Sequence, residues 1–128
     1  QYGAEDAARL AAVMNEPAPV TVRVNRTKTT RDALLAELKD DFPDAHPCQF
    51  SPDGIVLGHR GDLGQHKAFV NGLLSPQDEA SQLVVELLDP QPGDRTLDTC
   101  AAPGTKSAAI AERLAGERLL AALLALKS

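Results

Sequence analysis

Residues 95–115 read RTLDTCAAPGTKSAAIAERLA, a short strand, a loop of small residues around one glycine, and a helix. That order is how an open α/β sheet offers backbone N–H groups and a positive helix end to a ligand at the carboxyl edge of its strands. Arg95 to Thr99 reads as the strand, and Thr105 to Ala115 as the helix, with Ile110, Ala111 and Leu114 on one side and Gly116 as its stop. The Leu- and Ala-rich tail, 117–128, is open between two readings: propensity favours helix, whereas the α/β rhythm favours strand.

Two phosphate-binding patterns fail in the loop. A P-loop needs Gly, four residues and then Gly-Lys-Ser/Thr, but Cys100 and Thr105 stand at the two glycine positions before Lys106. The dinucleotide fingerprint G-x-G-x-x-G fails as well, because only Gly104 is present. What remains is a strand end of small residues that lets a nucleoside-type ligand approach the backbone closely.

Upstream of the loop, Ser75-Pro76-Gln77-Asp78 reads as a helix start, with a capping hydroxyl, proline in the first turn and an acid behind it. Ala80, Leu83, Val84, Leu87 and Leu88 then follow at helical spacing and predict the buried side. A first helix is expected over 4–15 from Ala7, Leu10, Ala11 and Met14, and Pro17 and Pro19 end it. Val20, Val22 and Val24 alternate with Thr21 and Arg23, a strand with one buried face that turns Arg23 away from the core. Arg31 to Leu38 is a helix with Thr29 or Thr30 as its cap, Pro52-Asp53-Gly54 is a turn before the strand Ile55 to Leu57, and 59–71 is a connector with one irregular helical turn. A small α+β unit results.

Composition excludes several classes. A net charge of −5 argues against indiscriminate binding of nucleic acid over the whole surface, and one Tyr, three Phe and no Trp leave little for base stacking. No apolar run spans a bilayer, and residues 1–15 lack the basic and apolar segments of a signal peptide, so the expectation is a cytoplasmic protein without membrane attachment. Cys48 and Cys100 are expected to be reduced, and the spacing of Cys48 from His46, His59 and His66 fits no usual zinc pattern, so no metal is expected. Asp78 and Glu79 are explained first by the helix dipole.

The segment SPQDEASQLVVELLDPQPGDRTLD followed by TCAAPGTKS resembles the cofactor-binding core of the RsmB/Nop2/Sun group of RNA cytosine-5 methyltransferases, whose signature runs VQDEASQ and then D-x-CAAPGGKT. VTVRVNRTKTTRDALLAEL, residues 20–38, resembles the R-x-N segment of the RNA-recognition-like domain that precedes the catalytic domain in that group. The resemblance implies a small α+β RNA-recognition-like domain over 1–72, then, over 73–128, the opening fragment of a Rossmann-like methyltransferase domain that uses S-adenosylmethionine on rRNA or tRNA. It implies that Cys100, Ala101, Ala102, Pro103, Gly104, Thr105 and Lys106 hold the methionine and sugar portions of the cofactor, with Asp98 as the acid at the strand end. It implies RNA contacts at Arg23, Asn25, Arg26 and Lys28.

Two departures bear on that site. Thr105 replaces the group's second glycine and Ser107 its threonine; a positive φ at 105 would cost about 1 kcal/mol or more. The group's two catalytic cysteines lie in later motifs, so no catalytic residue is expected in these 128 residues, which alone should be inactive. The alternative is a non-catalytic RNA-binding or adaptor module derived from such an enzyme.

Overall fold

The computed structural model describes residues 3–16, 18–58, 61–114 and the backbone of 119–121. Its larger layer is a four-stranded antiparallel sheet in the order β2-β3-β1-β4, made by β1 (Thr21–Val24), β2 (His46–Pro47), β3 (Gly54–Val56) and β4 (Leu74–Pro76). The central strand β1 pairs with β3 through Val22 opposite Ile55 and with β4 through Arg23 opposite Ser75. Helix α1 (Ala4–Met14) precedes the sheet, α2 (Arg31–Leu38) follows β1, and a 3-10 turn (Leu63–Gln65) and α3 (Lys67–Val70) fill the connector before β4.

One face of this sheet is apolar. Val22, Val24, Ile55, Leu57 and Leu74 pack with Leu34 and Leu38 of α2, Ala68 of α3, and Phe42 and Ala45. Strand alternation places them together, since β1 sends every second side chain to that face. Thr30 caps α2, its side chain accepting from the Ala33 N–H at 3.3 Å. By contrast, no residue of α1 is buried, and Leu10 and Met14 of its apolar stripe are exposed, as is Val13 beside it.

The second layer holds α4 (Glu79–Leu88), β5 (Thr96–Asp98), α5 (Thr105–Arg113) and β6 (Leu119–Ala121), with β5 and β6 a parallel pair. Of the tail's two readings, strand holds for 119–121; the rest of 117–128 lies outside the described residues. Val85 of α4 packs with Ala109 and Ile110 of α5 and with Leu114.

Three expectations change. The helix begins at Glu79 rather than at Pro76, capped by Asp78, whose carboxylate accepts from the Ala80 N–H at 3.0 Å. Ser75 and Pro76 belong instead to β4, because β1 offers an edge that the chain can pair before turning, and the Gln77 N–H still reaches the Thr21 carbonyl. The sheet therefore takes in residues beyond 72. The buried side of α4 is Gln82 and Val85, while Val84, Leu87 and Leu88 are exposed. And β1 is buried on both faces, with Arg23 only 6% exposed.

Gly54 shows how tightly the second face is filled. A Cβ there would stand 2.5 Å from Cys48 Sγ, 2.7 Å from Cys48 Cβ and 3.1 Å from Gln82 Oε1. Gly54→Ala is therefore expected to lower stability by about 1–3 kcal/mol through overpacking, measured by urea denaturation. An unchanged midpoint would show that Cys48 has room to move.

Candidate functional site

The loop between β5 and α5 is built by Asp98. Its Oδ1 accepts the Cys100 N–H at 3.0 Å and its Oδ2 accepts the Ser107 hydroxyl at 2.6 Å, so one carboxylate ties the strand end to the first turn of the helix. The Ser107 hydroxyl, then the Cys100 N–H, and more weakly the Lys106 charge hold the Asp98 carboxyl below its ordinary value of 3.8. Ser107 is buried and Cys100 exposed.

Gly104 turns the chain into α5 at φ 107°, in the left-handed region where a side chain is strained. Thr105 is the first helical residue, and the only described non-glycine residue with positive φ is Asp89. The strain expected from replacing the second glycine at 105 is thus absent, because Gly104 alone makes the turn. No side chain caps α5. Its first N–H groups face the loop mouth without an intrahelical acceptor, the arrangement that suits an anionic or hydroxyl-bearing ligand. Beside it, a groove of about 230 Å³ runs between α4, β5 and α5, lined by Val84, Leu88, Leu97, Cys100, Lys106 and Ile110 among others.

The residues expected to meet RNA lie elsewhere, on and after β1. Arg23 is engaged from two sides: Nε donates to Gln77 Oε1 at 2.9 Å, and Nη1 and Nη2 donate to the two carboxylate oxygens of Glu112 at 2.6 and 2.9 Å. It points to the second layer rather than to solvent, because that layer covers the face the sequence left open. Arg26 pairs with Asp53 while keeping a half-exposed side chain. Lys28 Nζ donates to the Asn71 carbonyl at 2.7 Å, and Asn25 donates to the Gly72 carbonyl at 3.1 Å while accepting from Thr27.

Sequence reasoning missed the residues that join the layers. Glu79, assigned to the helix dipole, accepts the Phe50 and Ser51 N–H groups at 2.6 and 2.9 Å. Buried Gln82 accepts the Ser51 hydroxyl at 2.6 Å and donates to the Gln77 carbonyl at 2.9 Å. Periodicity carried no signal for it, since Gln82 lies opposite the stripe of Ala80, Leu83, Val84, Leu87 and Leu88. Cys48 is buried, and burial, with the Glu79 charge adding to it, pushes its thiol from 9.0 up to about 11. No group of metal-binding side chains occurs among the described residues; His59, one of the expected non-ligands, lies outside them.

Comparison with known proteins places this geometry. Residues 1–63 match the family model for the ferredoxin-like domain of RsmF/B-like methyltransferases. The ribosomal RNA small subunit methyltransferase B of Pseudomonas putida is 44% identical over 107 residues, which cover 84% of this chain and 24% of that protein. The chain belongs to the RsmB/Nop2/Sun methyltransferase family. Within the family, the probable ribosomal RNA small subunit methyltransferase B of Bacillus subtilis is 38% identical over 111 residues, 87% of this chain and 25% of its own length. The chain spans about a quarter of the length of these RsmB relatives. Among solved structures, a methyltransferase homologue from Pyrococcus horikoshii matches with a TM-score of 0.80 at 28% identity, over 91% of this chain and 39% of that one. The crystal structure of PH0851 matches with a TM-score of 0.83 at 25% identity, over 92% and 27%.

The Asp98 staple carries a pH dependence with a defined sign. Its carboxyl binds a proton less readily when folded than when unfolded, so its contribution is present above the ordinary value of 3.8 and is lost as pH falls through the lower, folded value. A carbon-detected NMR titration should place the Asp98 midpoint below 3.8, and Ser107→Ala should move it upward. An ordinary midpoint in the parent chain would rule the staple out in solution.

Proposed function

We propose that this chain is the RNA-recognition-like domain and the beginning of the Rossmann-like domain of a cytoplasmic RNA cytosine-5 methyltransferase acting on rRNA or tRNA with S-adenosylmethionine. The observation that carries the reading is the uncapped start of α5 behind the small-residue loop 100–104, preceded by the Asp98 staple. These residues fit the group: Ala102 and Gly104 leave the backbone open to close approach, and the free N–H groups of the first turn are donors for polar groups of the donor molecule. Cys100 to Lys106 would hold its methionine and sugar portions; the cofactor, when bound, supplies an electrophilic methyl group. Among the named relatives, two are ribosomal RNA methyltransferases by name, which supports RNA as the substrate class.

Attack on a cytosine ring needs an activated thiolate. Neither cysteine here serves: Cys48 is buried with a raised pKa, and Cys100 belongs to the proposed donor loop. We therefore propose no turnover by these 128 residues alone, the reacting thiols belonging to parts of the enzyme outside them.

Calorimetric titration with S-adenosylmethionine tests the donor site. Micromolar binding is expected, weakened about tenfold or more by Gly104→Val, which forces a β-branched residue to positive φ. No binding by the parent chain would leave the non-catalytic RNA-binding or adaptor reading in its place.

For RNA contact, Arg26 and Lys28 are the cations of the cluster whose side chains reach solvent. Replacing both by Gln should weaken binding of single-stranded RNA and flatten the slope of log affinity against log salt by about 0.7 for each charge that meets a phosphate. Unchanged affinity and slope would show that the two cations serve only the fold.

A further inference from the structure

We propose that Arg23 and Glu112 are positioning residues for the donor loop, acting through α5, an inference that rests on the reading of that loop as the methyl-donor site. The helix has nine residues, a rod of about 13 Å at 1.5 Å per residue. Its first turn is tied to β5 by Ser107 on Asp98, and its last turn is tied to β1 by Glu112 on Arg23. The contact at the second end is bidentate, with Nη1 donating to one carboxylate oxygen and Nη2 to the other, so it sets rotation about the helix axis as well as distance.

The Arg23 and Glu112 side chains are only 7% and 17% exposed, which removes the water that would loosen an ordinary surface pair. Arg23 is itself oriented by Gln77, and Arg113 beside Glu112 pairs with Glu86 on α4. Stability alone does not call for this arrangement, because two apolar side chains of similar volume fill such a site as well or better. What an apolar pair lacks is angular definition. The orientation of the first-turn N–H groups toward a ligand is therefore set, from the other end of the helix at Glu112, by the sheet that carries the proposed RNA contacts.

The test separates orientation from stability in the full 128-residue chain. Arg23→Met with Glu112→Leu replaces the pair by apolar side chains, and Glu112→Gln removes the charge while keeping the shape. Residual dipolar couplings of backbone amides give the angle between β1 and α5, amide shifts report Gly104 to Ser107, thermal melting reports stability, and calorimetry reports S-adenosylmethionine affinity. In the apolar double variant the melting temperature is expected to hold while the angle changes by more than about 10°. The amides of 104–107 shift with it, and affinity falls about tenfold or more. An unchanged angle together with unchanged loop amides in whichever of the two variants folds would overturn the proposal. Should the parent chain bind no S-adenosylmethionine, the donor-site reading fails, and the angle and loop shifts still decide whether the pair orients α5.

Discussion

A guanidinium buried between two layers is the constraint on which this structure turns. Arg23 sits at the centre of the antiparallel sheet, opposite Gly54 and Ser75, and too little of it meets solvent to satisfy its donors. Leaving such a charge unpaired costs about 3–5 kcal/mol, so the second layer has to bring oxygen atoms to it. Glu112 and Gln77 do so, one from the end of α5 and one from the link into α4.

Much else follows from that requirement. Gln77 lies just past β4, so α4 starts later than its proline suggests, and Asp78 rather than Ser75 becomes its cap. Gln82 then falls on the side of α4 that meets the sheet, which needs Gly54 below it and Ser51 beside it, and Glu79 secures the same turn through its backbone. The stretch QDEASQ is thus a joint: its first Gln, both acids and its last Gln each satisfy a named hydrogen-bonding group. The Gln82 amide, engaged at both ends, defines one geometry where apolar contacts would allow several, whereas Gln77 is held through its oxygen alone.

The loop at the far end of α5 is simpler. One acid, Asp98, organises it, one glycine turns it, and a helix start without a cap leaves its N–H groups to a ligand. The proposed donor loop and the sheet that carries the proposed RNA contacts lie at opposite ends of one short helix, and the ion pair at its last turn links the two.

Local chemistry was legible in the sequence wherever the relevant neighbours are close along the chain. The Val22–Val24 alternation, the Thr30 cap, the Pro-Asp-Gly turn and the strand-loop-helix at 96–113 all express short-range rules. The tertiary structure alone decided what stands opposite. Arg23 reads as solvent-facing because nothing within several residues marks the second face of β1 as covered; its partner Glu112 is 89 positions away. The buried side of α4 was misread for the same reason, since a glutamine becomes a core residue only when Ser51 and the Gln77 carbonyl meet its amide. Periodicity ranks side chains by their aversion to water, whereas these positions are buried by polar groups that find partners only once the two layers have met.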